Sequence, residues 1–214
     1  MRRRGSFISF EGGEASGKSV QASRLATALR ERGLDVVLVR EPGGTPAGEQ
    51  IREILLHARD VALTAEAQAL LFTAARAQLV REVIRPALER GAVVIADRYF
   101  DSTLAYQGSA GGADLEGLRA MTRFAVGTMI PDRTFLLDVP LEVIEARSRG
   151  RANDRAWDRF ETQERAFHER LREGYLRLAA AEPRRFVIVP GDRDEAAIAS
   201  ELLREVDALL ATPA

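Results

Sequence analysis

The feature that most restricts how this chain folds is an octapeptide near its start. Gly12-Gly13-Glu14-Ala15-Ser16-Gly17-Lys18-Ser19 fits G-x-x-x-x-G-K-[ST] at every fixed position, directly after the apolar run Phe7-Ile8-Ser9-Phe10 and ahead of a helical stretch. A strand, a glycine loop and a helix in that order predict a phosphate-binding loop. Gly12 and Gly17 let the backbone curl so that its amides face phosphate oxygens, and the helix N-terminus adds partial positive charge. Lys18 is expected to reach the β- and γ-phosphates, and the Ser19 hydroxyl to coordinate Mg²⁺. The whole segment Gly12–Ser19 is therefore the expected seat of ATP with its metal ion.

The rest of the chain supplies the fold that such a loop requires. Its 214 residues suffice for one α/β domain with a real core, and no repeat or low-complexity linker divides them. Phe7–Phe10, Val36–Val39, Val93–Ala96, Phe135–Leu137 and Phe186–Val189 read as short strands, several apolar on both faces, as central parallel strands covered by helices must be. Helical segments are expected at about 18–32, 48–57, 64–90, 114–126, 140–149, 159–181 and 194–210, with Gly33 as a C-terminal stop to the first. Alternation of this kind implies right-handed crossovers and a five-stranded parallel sheet flanked by helices, the three-layer P-loop NTPase fold, over residues 1–214. Ligands then gather at the carboxyl ends of the strands.

Two further segments suggest phosphoryl transfer. The strand ending Val93-Val94-Ile95-Ala96-Asp97-Arg98 places a carboxylate, Asp97, where a metal or its water shell is met, and beside it a forked cation suited to phosphate. Asp138, at another strand end, is expected to be structural. Arg147, Arg149, Arg151, Arg155 and Arg159 crowd one stretch, which Gly150 and Asn153 make a poor uninterrupted helix. A solvated helix face would explain such a run. So would a short arginine-rich lid at about 147–158 that closes on the transferred phosphate and excludes water.

Composition narrows the partners. A formal net charge of −1 gives no long-range pull towards nucleic acid or anionic membrane, so phosphate recognition must be local. Cysteine is absent, and His57 and His168 lie far apart, which disfavours a zinc site. The basic start, Met1-Arg2-Arg3-Arg4, leads into no long apolar stretch, so neither a signal peptide nor a membrane span is expected and a cytoplasmic location is.

The order of several strings is more specific. Phe10-Glu11-Gly12-Gly13-Glu14, Arg40-Glu41-Pro42-Gly43-Gly44-Thr45, Gly48-Glu49-Gln50-Ile51-Arg52, Leu70-Leu71-Phe72-Thr73-Ala74-Ala75-Arg76-Ala77-Gln78, Asp97 through Gly108, and Asp158-Arg159-Phe160-Glu161 together resemble the thymidylate kinase family from about Phe7 to Val189. The resemblance implies transfer of the ATP γ-phosphate to dTMP, giving dTDP for dTTP synthesis, with Mg²⁺, in a homodimer. It implies that Phe72 stacks on the thymine ring and Arg76 hydrogen-bonds a base carbonyl. Arg52 and Arg98 would clamp the acceptor monophosphate, and Glu14 would accept from the sugar 3′-hydroxyl. Ser102, Thr103 and Gln107 would contact the nucleotide, with Gln107 nearest the base. Tyr106 would pack under the deoxyribose and crowd a 2′-hydroxyl. Lys18, Arg98 and Glu14 are thus the expected catalytic groups, joined by a lid arginine, because Ala15 stands where some members carry arginine in the loop. Ala75 departs from the acidic or amide residue that commonly precedes Arg76, and Val20 from a usual second hydroxyl.

Other classes fit less well. A GTPase would carry an Asn-Lys-x-Asp string, which the chain lacks, and a motor or clamp loader would end a strand in adjacent acids where this one has Asp97-Arg98. A kinase of another nucleotide or of a deoxynucleoside is the nearer alternative, and the Arg98 clamp favours a phosphorylated acceptor.

Overall fold

The computed structural model describes residues 4–58, 60–151, 160 and 163–211, without the side chains of 149–151. Five strands, β1 (Phe7–Glu11), β2 (Val36–Arg40), β3 (Val93–Asp97), β4 (Arg133–Asp138) and β5 (Phe186–Pro190), pair in the order β2-β3-β1-β4-β5. Every pairing is parallel. Each expected strand forms, one to three residues longer than its apolar run, because ladder bonds extend beyond the side chains that the core selects.

Side chains alternate across this sheet as a period of two demands. Ile8, Phe10, Val93, Ile95, Phe135 and Leu137 face one way, against α1 (Lys18–Glu31) and, last in the chain, the helix Glu195–Ala211. Phe7, Val94, Ala96 and Leu136 face the other. Burying each such side chain stabilises the fold by about 1.5–3 kcal/mol.

That second face is covered by helices that carry the site. They are α2 (Pro46–Arg52), α3 (Ala65–Leu79), α4 (Arg85–Glu89), α5 (Phe100–Thr103), α6 (Leu115–Val126) and, after α7 (Leu141–Arg151), α8 (Arg165–Ala181); Glu195–Ala211, on the first face, is α9. Three π-helical turns, Glu53–His57, Val80–Ile84 and Leu104–Ala110, continue α2, α3 and α5. The expected helix over 64–90 is thus three joined pieces. α7 runs through Gly150 to Arg151, where an interruption was expected; an interior glycine costs a helix only about 1 kcal/mol. α8 begins at Arg165 rather than near 159, since Glu164 is extended.

A polar joint ties α5 to the neighbouring strands β1 and β4 and to the residue before β5. Arg185, 7% exposed, donates both terminal nitrogens to the Asp101 carboxylate, at 2.6 and 2.8 Å, and Nη1 also to Thr134 Oγ1. Thr134 Oγ1 lies 2.8 Å from Ser9 Oγ. Bidentate geometry is what makes a buried pair of this kind tolerable, and it anchors α5 directly behind the strand ends.

Candidate active site

The loop after β1 takes the curled form its glycines allow. Gly12 has φ +140°, and a Cβ there would lie 2.6 Å from the Leu137 carbonyl oxygen. Gly17, at φ +93°, is the residue before α1. Lys18 folds over the loop, its ammonium donating to the Gly13 carbonyl at 2.5 Å and to Ser16 Oγ at 3.1 Å. Burial and the Arg98 charge bring that ammonium down to about 8, against the pull of Glu14, Asp97 and Glu11. Ser19 Oγ donates to Asp97 Oδ2 at 2.5 Å. A hydroxyl and a carboxylate side by side are hard oxygen donors, the chemistry that suits Mg²⁺, which takes one or two protein ligands and fills the rest from phosphate and water.

Across from this loop the parallel strand ends open a cavity of about 630 Å³. Lys18, Ser19 and Asp97 line it together with Arg52, Phe72, Arg98, Tyr106 and Gln107, and with Ser102 and Thr103. Predicted donor-side and acceptor-side residues therefore share one chamber. The Thr45 hydroxyl accepts from Gly48 N at 3.0 Å as the N-cap of α2, and Arg52 at the end of that helix donates to the Pro42 carbonyl at 2.8 Å.

Arg98 is the hub. Its backbone is left-handed, φ +69°, a costly conformation for arginine that recurs at functional sites. Nη1 donates to the Gly12 carbonyl (3.0 Å), Ser102 Oγ (3.2 Å) and the Tyr175 hydroxyl (3.3 Å); Nη2 donates to Glu14 Oε1 (2.5 Å) and Tyr106 OH (2.9 Å). The guanidinium carbon stands 4.9 Å over the Tyr106 ring, a cation–π contact. Burial alone would raise the Glu14 carboxyl, but Arg98, Lys18 and the Tyr106 hydroxyl hold it down at about 2.

Arg76 sits apart from the chamber. It is 1% exposed and outside the cavity wall, donating to Glu41 Oε2 (2.8 Å), to Thr103 Oγ1 and to the Tyr99 carbonyl. Glu41 and Thr103 do line the cavity, so in this arrangement Arg76 reaches it through them. Glu41 also supplies the orientation that Ala75 does not. Gln107 Nε2 donates to Gln68 Oε1 at 3.3 Å.

Of the lid arginines, Arg147 donates to the carbonyls of Ala15 (3.3 Å) and Gly191 (2.9 Å), tying the phosphate loop to the segment after β5. The side chains of Arg149 and Arg151, and residues 152–159 with Arg155, lie outside what the structure describes. Asp138 forms a bidentate pair with Arg172, at 2.6 and 2.8 Å, the structural role expected of it. Sequence reasoning missed Phe160, which packs edge-on to Tyr106 at 5.4 Å and against Phe72 at 6.0 Å. It also missed Glu11, Glu41 and Tyr175. Family-like strings run through Glu11, Glu41 and Phe160 and could have pointed to them, whereas Tyr175 lies in none.

The chain matches the family model described as thymidylate kinase over residues 10–202. It is 48% identical over 209 residues to the thymidylate kinase of Geobacter sulfurreducens, covering 94% of this chain and 98% of that one. With the thymidylate kinase of Pseudomonas putida (strain W619) it shares 47% over 204 residues, 95% of each. The crystal structure of thymidylate kinase from Ehrlichia chaffeensis superposes with a TM-score of 0.77 at 30% identity, covering 95% of this chain and 99% of that one.

Proposed function

The chain belongs to the thymidylate kinase family, a phosphotransferase that makes dTDP from dTMP with ATP, and we propose that the chamber between Lys18 and Arg98 is where it does so. The observation that supports this is that a phosphate loop and an arginine clamp line one cavity. ATP lies along Gly12–Ser19 with Lys18 on its β- and γ-phosphates. The monophosphate of dTMP lies against Arg98 and Arg52, its thymine on Phe72 with Gln107 at its edge, and its deoxyribose over Tyr106.

A dTMP phosphate oxygen attacks the γ-phosphorus, a new P–O bond forms, and the bond to the β-phosphate oxygen breaks to release ADP. The charges balance without a proton transfer, so the protein's task is to hold two anions in line. Two unit charges ~4 Å apart repel by about 4 kcal/mol at an effective dielectric near 20. Lys18 and Arg98 offset that, Arg52 assists on the acceptor side, and a lid arginine among Arg147, Arg149, Arg151 and Arg155 completes the cover. Ser19 and Asp97 would hold Mg²⁺, which neutralises phosphate charge when bound. When the acceptor phosphate takes Arg98 Nη2, Glu14 is released towards the sugar 3′-hydroxyl. We also read the enzyme as a cytoplasmic homodimer. No helix among the described residues is long and apolar enough to cross a membrane.

The test is a panel of dTMP, dUMP, dCMP and thymidine with ATP and Mg²⁺, scored for phosphorylated product. dTMP should be the preferred acceptor. Arg98→Ala should lower turnover by ~10³ while the fold persists. Equal use of thymidine, or wild-type turnover in the Arg98 variant, would remove the clamp from the mechanism.

A further inference from the structure

An arginine that must meet a phosphate in one orientation carries up to ~2 kcal/mol of rotamer entropy to be suppressed. The left-handed backbone of Arg98 adds a second freedom to hold. One carboxylate governs both. Glu11, at the end of β1, is fully buried and outside the cavity wall. Its Oε1 accepts from the Tyr99 N–H at 2.8 Å, the peptide next after Arg98. Its Oε2 accepts from Ser102 Oγ at 2.6 Å and from the Tyr175 hydroxyl at 3.0 Å, and these two hydroxyls, 2.8 Å apart, are the ones on Arg98 Nη1. A hydroxyl has a single proton. Spent on Glu11, it leaves a lone pair turned towards the guanidinium.

We propose that Glu11 and Tyr175 are positioning residues for the acceptor clamp, aiming Arg98 at the monophosphate through hydroxyls whose direction the Glu11 carboxylate sets. The proposal rests on the reading of Arg98 given above. Neither residue touches substrate. The Tyr175 ring, 1% exposed and edge-on to Tyr106 at 6.3 Å, supplies packing, while its hydroxyl supplies aim. The two contributions separate in Tyr175→Phe, which keeps the ring.

The experiment is steady-state kinetics on the full chain above pH 7, where the buried Glu11 carboxyl is ionised, varying dTMP and ATP separately, for Tyr175→Phe, Glu11→Gln, Arg98→Ala and the Tyr175→Phe/Arg98→Ala double variant. Tyr175→Phe should lower kcat/KM for dTMP by about tenfold, the loss of one charge-assisted contact, and leave KM for ATP unmoved. Glu11→Gln should lose at least as much; if it fails to fold, Tyr175→Phe alone decides. In the Arg98→Ala background Tyr175→Phe should cost nothing more, since it acts through a group already gone. A loss that multiplies onto that of Arg98→Ala, a parallel rise in KM for both nucleotides, or wild-type dTMP kinetics in Tyr175→Phe would each overturn the proposal. Arg98→Ala with wild-type dTMP kinetics would instead overturn the assignment of Arg98 itself.

Discussion

Glu11 and Glu14 flank Gly12-Gly13, yet the protein drives their acidities in opposite directions. Burial, helped by Asp101, pushes Glu11 up to about 7 in spite of Ser102, Arg98 and the Tyr99 amide; Arg98 and Lys18 hold Glu14 at about 2 against burial. The signs follow from proton linkage. Between 4.5, the ordinary value, and about 7, folded Glu11 binds more protons than unfolded, so its contribution to stability is lost as pH rises through that window. Glu14 contributes above 4.5 and loses its contribution as pH falls towards 2. The unfolding midpoint of Glu11→Gln, compared with wild type, should therefore shift in favour of the variant from pH 4.5 to 7. Glu41, also raised by burial, is common to both proteins, and Asp101, relieved in the variant of its repulsion with Glu11, shifts the comparison in the same direction. A midpoint difference that stays constant across the window would count against the assignment. At this scale the sequence pointed to groups that the fold brings to one cavity where the pattern is local, as at Lys18, Ser19 and Arg98. It was silent where partners are remote: Tyr175 is 164 residues from Glu11 and Ser102 is 91, and no spacing rule spans such gaps.

Elements that looked continuous in the sequence are jointed in the fold. Neither Glu53–His57 nor Val80–Ile84 contains a glycine or proline, so the joints after α2 and α3 carry no breaker that separates them from helix. α5 starts after an extended Tyr99 with no side-chain cap, which explains why no start signal marked it. The turn Leu104–Ala110 carries Tyr106 and Gln107 and packs against α8 at Gly174, where a Cβ would lie 2.5 Å from Ser109 Cβ and 2.7 Å from its Oγ. Glycine inside a helix ordinarily costs about 1 kcal/mol relative to alanine, so Gly174→Ala would stabilise a free helix. Here overpacking should win, destabilising the protein by a net ~1–2 kcal/mol in urea denaturation. A more stable variant would mean that α8 and the turn can move apart without loss. Because Tyr175 is the next residue, that same contact sets how far its hydroxyl reaches.

For the molecule as a whole, a parallel sheet covered by helices on both faces followed from apolar runs alternating with helical stretches, whereas the order of its strands and its assembly did not. Phe124 on α6 is 92% exposed and Leu70 on α3 57%, on helices that pack together, an apolar display that solvent disfavours. If this face joins two copies, Phe124→Asp should sediment as a monomer at concentrations where wild type is a dimer; identical sedimentation of the two would place the interface elsewhere. Lys18 has a wider bearing. It is the only lysine in the sequence, every other cation among the 31 Lys and Arg residues being an arginine, and its acidity lies at about 8. All of the protein's side-chain amine reactivity is therefore concentrated on the phosphate loop. An acylating dye would have one lysine to find, and the nucleotide lying over it would act as its shield, so the extent of labelling at Lys18 becomes a gauge of loop occupancy.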